Sequence, residues 1–441
     1  MELRERLRLA LGTEVGPSAA AGLPAAGPGP VAPSARRVAR RVPAGLPVRP
    51  VETDGGLVYQ AEEWWPQDHS HGRIPLRDAL SLNEAAMSRL ASGLDAIDLA
   101  GAAFLDVETT GLAGGTGTYV FLVGLGTFED GAFRLRQFFL ADLRGEAAML
   151  TAVAEALSGC RAFVSFNGRC FDLPLLETRL ALSRLPRSVL SRPHLDLLYP
   201  ARRLYKRRLA SCRLACLEEA LLGVEREDDV PGWAIPALYF DYVRTGRAGP
   251  LRAVFRHNAL DILSLAALLG HLGHVTGSVP PSDPGDCLAM ARWDESEGRL
   301  AEAARLYEVA LDGGADGEGR ALSLRRLARL YRRLERWDDA ARLWRQRADG
   351  GRPSGQRLEA LIELAKLEEH HHRDYASAEA LTRDALSLVE IVGLREGGSA
   401  QTTLTREALE HRLWRLRRRL AAGRGRPWPA ADVRSGPLLG G

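Results

Sequence analysis

Residues 104–112 read FLDVETTGL and carry two carboxylates, Asp106 and Glu108, separated by one residue in an apolar setting. Taken as a β-strand, the period of two turns both acids to one face and Val107 to the other. Neighbouring carboxylates at the end of a buried strand repel each other and are costly to desolvate. A divalent cation offsets that cost, and hard oxygen ligands suit magnesium or manganese. The alternative is a strand end open to solvent, where the pair needs no partner. An isolated D-x-E does not separate the two.

Two further acids fall at informative places. Asp172 follows FNG (166–168) at a strand-to-helix junction, where α/β sheets carry functional groups; as a helix N-cap it has a structural reason to be there as well. The stretch RHNALDILSLAALLGHL (256–272) has the spacing of an amphipathic helix, with His257 and Asp261 one turn apart on the same face. An imidazole with an unperturbed pKa near ~6.5 accepts a proton at neutral pH; packing on the helix surface is the competing role. Thr109, Thr110 and Gly111 form the turn after the acidic pair, either offering backbone N–H groups to a substrate or simply closing the turn. Asp196 in HLDLLY has apolar flanks and reads as a structural hydrogen-bonding group. Arg202, Arg203, Lys206, Arg207, Arg208 and Arg213 form a basic run without an intervening acid. It suits phosphates or a solvated helix face.

The elements that must position these groups follow a β-β-β-α-β-α order. FLDVETT is the first strand; 119–130 and 132–140 form a hairpin turning at Glu129-Asp130-Gly131. Residues 146–157 have helical spacing, 162–168 form a buried strand, and 172–182 form another helix. Such an order is mixed α/β, an antiparallel meander leading into parallel strands with helices on both faces. Upstream, GLVYQAEEWW (56–65) is strand-like, the loop holding His69, His71 and Arg73 reads as surface, and Ser81 to Glu84 fits a capping box opening a helix over 83–94. From Pro284 onward the pattern is helical only. RLAEAARLYEVAL, RWDDAARLWRQRA and DYASAEALTRDAL align on Ala303, Ala340 and Ala378, at periods of 37 and 38 residues. Small residues where helices meet suit a tetratricopeptide-like array, although the usual period is ~34 residues. The triple His370, His371 and His372 reads as solvent-exposed. The expected organisation is a disordered Pro/Ala/Gly-rich segment over 1–55 and an extension over 56–99 packing on the core domain. An α/β domain over 100–277, helical repeats over 284–422 and a disordered tail over 423–441 follow.

A net charge of +3 is too small to argue for a polyanionic partner by itself, and only Lys206 and Lys366 of 59 basic residues are lysine, a bias that composition explains. Five cysteines, an odd number thinly spread, point to a reducing compartment rather than a disulfide framework. Without a signal-like apolar segment or an apolar run of membrane-spanning length, the expectation is a soluble, cytoplasmic protein with no membrane association.

The order D-x-E, D, D resembles the DEDD (DnaQ-like) 3′–5′ exonuclease superfamily. The wording is more specific: FLDVETTGLAGGTGTYVFLVGLG, FNGRCFDLPLL, HLDLLYPARRLY, RLACLEEALLGVER, DDVPGWAIPALYFDYVRTG and HNALDILSL resemble the bacterial YprB-like family. That family joins an RNase H-like domain to tetratricopeptide repeats, and the resemblance spans roughly residues 55–390. It implies that Asp106, Glu108, Asp172 and Asp261 bind two divalent metals, Mg2+ or Mn2+, that His257 is the general base, and that the substrate is nucleic acid with a single-stranded end. Asn167, with Thr109, Thr110, Gly111, Arg207 and Arg208, would contact that substrate, and the repeats would recruit a protein partner or the substrate itself. The histidine departs from the family patterns. Histidine-type members carry H-x4-D and tyrosine-type members Y-x3-D, whereas this chain has H-x3-D. A scaffold of the same fold, catalytically weak and acting mainly by binding, is the alternative that this spacing keeps open.

Overall fold

The computed structural model describes residues 43, 45–93, 97–111, 115–278, 280–314, 317–349, 354–395 and 400–423. Of the segment 1–55 expected to be disordered, residues 1–42 and 44 lie outside the described residues, but 49–53 form a strand paired with the next, because their backbone groups find partners there. The tail after residue 423, also expected to be disordered, lies outside the described residues. The first strands are β1 (Arg49–Thr53), β2 (Gly56–Pro66), β3 (Ser70–His71) and β4 (Ile74–Pro75), followed by helix α1 (Glu84–Leu90). Asn83, rather than Ser81, caps α1, its side chain accepting from the Ala86 N–H at 2.9 Å. The core domain then runs β5 (Ala102–Thr109), β6 (Val120–Glu129), β7 (Ala132–Phe139), α2 (Glu146–Ser158), β8 (Ala162–Ser165), α3 (Asp172–Leu182) and β9 (His194–Asp196). It closes with α4 (Leu198–Tyr205), α5 (Leu214–Leu217), α6 (Ile235–Thr245) and the long α7 (Leu251–Gly277).

The main sheet has the order β1-β2-β7-β6-β5-β8-β9. Pairing is antiparallel from β1 through β5 and parallel at β5–β8 and β8–β9. Asp130 and Gly131, both at positive φ, make the tight β6–β7 turn. The stretch before residue 99 does more than pack on this sheet. β2 pairs with β7 from Tyr59↔Phe139 to Pro66↔Ala132 and, with β1, lengthens the sheet by two strands.

Alternation along β5 assigns its two faces. Ala103, Leu105 and Val107 enter the core shared with α2, α3 and α6, while Ala102 and Phe104 enter the core shared with α7. Asp106 and Glu108 have the parity of Ala102 and Phe104, so the strand presents them to the α7 side. Two glycines of β6 let α7 approach: a Cβ at Gly124 would lie 2.3 Å from Asn258 Oδ1, and one at Gly126 would lie 2.7 Å from Ile262 Cγ2. By length and hydropathy α7 could cross a membrane, contrary to the expectation that no stretch here could. Most of its residues are buried in the domain, which accounts for its composition. His71, expected at the surface, is buried with its Nε2 2.8 Å from the Ser264 hydroxyl of α7.

Helices α8 (Pro284–Ser296), α9 (Leu300–Asp312), α10 (Gly317–Arg333), α11 (Trp337–Ala348), α12 (Gly355–Leu367), α13 (Tyr375–Arg395) and α14 (Ala400–Gly423) follow, each packed on the next. Ala303, Ala340 and Ala378 are fully buried, and Tyr307 and Trp344 are buried one turn beyond the first two. The third unit has Thr382 at that place, its hydroxyl donating to the Ala378 carbonyl at 2.7 Å. His370 and His371 are exposed, while His372 is half-buried against Glu368 at 2.8 Å. The helical region and the α/β domain share one continuous apolar core. Asp294 of α8, fully buried, takes Arg89 of α1 at 2.9 and 3.2 Å and Arg299 at 2.9 Å.

Candidate active site

β5 delivers Asp106 and Glu108, the start of α3 delivers Asp172, and α7 delivers His257 and Asp261. Their mutual influence shows that they share one region. Burial pushes the Asp106 carboxyl well above its ordinary range, and Asp261, Glu108 and Asp172 push it further. Glu108 is raised well above its range by burial and then by Asp261, Asp172 and Asp229. Asp172 is raised to about 7 by burial, with Asp196 and Asp261 adding to it and backbone hydrogen bonds opposing. Asp261 is also raised by burial, against the pull of Arg226 and His257. Concentrated negative charge with little compensation is what a cation site, or a proton-holding site, looks like before its partner arrives.

Three residues outside the expected set shape this region. Asn258, fully buried on α7, donates through Nδ2 to Asp106 Oδ2 at 2.8 Å and accepts from Gln137 Nε2 at 2.9 Å. That chain fixes the Asp106 carboxylate, and the absent side chain at Gly124 makes room for it. Asp229 places both carboxylate oxygens 2.9 Å from His257 Nδ1. Such an acceptor makes Nδ1 the protonated nitrogen. The lone pair on Nε2 then faces the acids, 3.6 Å from Asp261 Oδ2 and 4.0 Å from Glu108 Oε1. Arg226 is the cation of the region. It pairs with the fully buried Glu218, with Asp229 at 3.1 Å and with Asp261, and its Nη1 lies 3.3 Å from His257 Nδ1.

Among the described residues, no three histidine, cysteine or acidic side chains already converge as a metal cage. Arg226 holds Asp261 by Oδ1, while Asp261 Oδ2 lies 3.6 Å from His257 Nε2. The donor set itself fits a hard divalent ion, being four carboxylates, all with protonation favoured by burial or by one another.

The remaining candidates divide. Asn167 sits at φ 66 in the left-handed region, its N–H donating to Asp196 Oδ1 at 2.7 Å. Asp196 also accepts from the N–H groups of Arg169 and Leu198, both at 3.1 Å, so it anchors the FNG turn as its apolar flanks suggested. Gly168 in that turn leaves space that a Cβ would take within 2.9 Å of Asp172 Oδ2. The threonine hydroxyls after β5 serve the turn. Thr109 Oγ1 donates to the Gly111 carbonyl at 2.9 Å, and Thr110 Oγ1 accepts from the Tyr119 N–H at 2.9 Å. The basic run also splits. Arg208, expected at the substrate, is bound by Asp283 and Asp286 at the junction with α8. Arg203 pairs with Glu297. Arg202, Lys206 and Arg213, but not Arg207, line a groove together with Phe166 and Asn167.

A family model agrees with the α/β architecture. A family model described as RNase_H superfamily (RNase_H_2) matches residues 103–273. The chain is 29% identical over 376 residues to a Bacillus subtilis (strain 168) protein described as "Uncharacterized protein YprB", covering 81% of this chain and 85% of that one. A crystal structure of BtubC (BKLC) from P. vanneervenii aligns with 46% of this chain and 88% of its own, at 20% identity and a TM-score of 0.25. Residues 103–273 therefore match the RNase H superfamily, in a chain that is similar along most of its length to YprB.

Proposed function

We propose that the chain is a metal-dependent nuclease, a 3′–5′ exonuclease that hydrolyses phosphodiester bonds, with its tetratricopeptide-like helices recruiting a partner or substrate. The observation that carries this reading is the mutual destabilisation of Asp106, Glu108, Asp172 and Asp261 opposite a histidine with one nitrogen already committed to an acid. Asp106, Glu108, Asp172 and Asp261 would hold two divalent ions, Mg2+ or Mn2+. Bound there, the ions supply Lewis acidity for the attacking water and the leaving 3′-oxygen. Asn258 keeps Asp106 oriented. His257 takes a proton from the water at Nε2, while Asp229 holds the ring and stabilises the imidazolium that results. One residue fewer between His257 and Asp261 than in histidine-type exonucleases changes the ring's approach, and Asp229 supplies the orientation that the spacing alone does not.

The test is cleavage of an end-labelled single strand by purified protein with magnesium or manganese. Shortening from the 3′ end is expected, with loss on Asp106→Asn. Arg226 supports a second reading, a catalytically weak scaffold: its ion pair with Asp261 supplies a cation without any metal. Failure to bind manganese by calorimetry, with the fold intact, would favour the scaffold.

A further inference from the structure

We infer that the groove between the FNG turn and α4 binds the phosphate backbone of a single-stranded nucleic acid and leads it to the acids, an inference that rests on the nuclease reading. The groove has a volume of about 750 Å³, and Phe166, Asn167, Arg202, Lys206 and Arg213 are among the residues that line it. Its lining comes close to the candidate active site: Asn167 is followed by Gly168, where a Cβ would lie 2.9 Å from Asp172 Oδ2.

The distribution of charge on and after α4 separates two roles. Arg203 pairs with Glu297 and lies 5.0 Å over the Trp293 ring, and Arg208 pairs with Asp283 and Asp286, so these two fasten α4 to α8. Arg202 and Lys206 are one helical turn apart on a different face. Among the described residues no carboxylate pairs with Arg202, Lys206 or Arg213, although the neighbouring arginines Arg203 and Arg208 are both paired. Burial raises the Cys212 thiol and Arg202 and Lys206 pull it back, which puts both charges beside the same wall of the groove. Leu198, Leu209 and Leu214 complete that wall. Unpaired cations beside apolar and aromatic surface suit a strand whose bases are unstacked from a partner, since phosphates take the charge and base faces take the apolar wall. A duplex, gripped by its outer phosphates, has no use for such a floor.

The experiment uses the full chain and a fluorescein-labelled 20-nucleotide oligothymidylate, read by anisotropy in EDTA so that no cleavage occurs. The triple variant Arg202→Ala, Lys206→Ala, Arg213→Ala should bind at least ten-fold more weakly. The slope of log K against log salt should flatten by about 2, since each phosphate contact on a single strand contributes ~0.7. Arg244→Ala, on an ion-paired surface away from the groove, should bind as wild type does. An equal melting temperature for the triple variant excludes misfolding, and the charge-keeping Arg202→Lys, Arg213→Lys variant should recover most of the affinity. Unchanged affinity and slope in the triple variant, absence of binding by the wild type, or loss confined to duplex probes would each overturn the groove assignment. The nuclease reading fails separately, if the wild type binds the strand through the groove yet never cleaves it with magnesium or manganese.

Discussion

Two glutamates of this chain, Glu369 buried and Glu108 half-buried, have opposite surroundings. Glu369, in the turn that follows α12, is held by Arg415 at 2.9 Å and by Arg412 at 2.6 Å. Burial raises its carboxyl, but the Arg415 hydrogen bond and the charges of Arg412 and Arg415 more than offset that and leave it below the usual range. Glu108 sits among Asp261, Asp172 and Asp229 and lies well above the range. Where a carboxylate serves the fold, this protein gives it arginines. Where carboxylates gather on β5, α3 and α7, it leaves them largely uncompensated, and Arg226 is the nearest exception. The difference marks the second region as one arranged for a ligand rather than for stability.

Removing each glutamate should therefore do opposite things. Glu108→Gln is expected to cut nuclease activity by about 10³-fold, which is about 4 kcal/mol of barrier, while the metal-free melting temperature holds or rises because a repulsion is relieved. Glu369→Gln should leave activity per folded molecule unchanged and cost about 3 kcal/mol in denaturant unfolding, because Arg412 and Arg415 lose their buried partner. If both variants lost stability and kept activity, the contrast between the regions would be gone.

His257→Ala sharpens the same contrast inside the site, with kcat expected to fall about 10²-fold as a proton acceptor is lost. Asp229→Asn should fall about ten-fold and shift the pH–rate profile, because an amide holds the ring but no longer stabilises the imidazolium. A merely structural Asp229 would change stability and leave the profile alone.

The smallest effect is in pH. Asp106, Glu108, Asp172 and Asp261 are raised, so the native protein binds more protons than the unfolded one above about pH 4. Their contribution is present in acid and is lost as pH climbs through about 7, the value for Asp172. His71, His194 and His271 run the other way. Burial lowers each to about 4, so their stabilisation is present above the unfolded value of 6.5 and is lost as pH falls toward 4. Without metal the two groups oppose each other and the melting temperature changes little between those limits. With magnesium holding the acids ionised, acidification should lower the melting temperature more steeply. Parallel curves with and without magnesium would count against metal binding by these acids.

What could be seen in the sequence follows the range of the interactions. Asp106 and Glu108 stand out because strand parity is local, and His257 and Asp261 because helical spacing is local. The hairpin at Asp130-Gly131 announces itself through turn chemistry. Asp229 does not, since it meets His257 from an irregular segment 28 residues earlier. Arg226 ends the motif RLACLEEALLGVER, but its role could not be read there, because its partners Glu218 and Asp261 lie on two different elements. Asn258 lay beside His257 in a quoted motif, but its role depends on Gly124 of another strand. That glycine, twice repeated in VGLG, was the available signal for a helix in close contact. The basic run could be counted but not divided, because only the position of α8 decides which arginines are occupied.

The claim that these acids are gathered for metal-dependent cleavage is tested most directly on a 5′-end-labelled single strand, digested with manganese and followed at single-nucleotide resolution. Wild-type protein should shorten it stepwise from the 3′ end, EDTA should stop the reaction, and Asp106→Asn, folded to the same melting temperature, should leave the strand intact. Stepwise shortening that persists undiminished in Asp106→Asn would contradict the account.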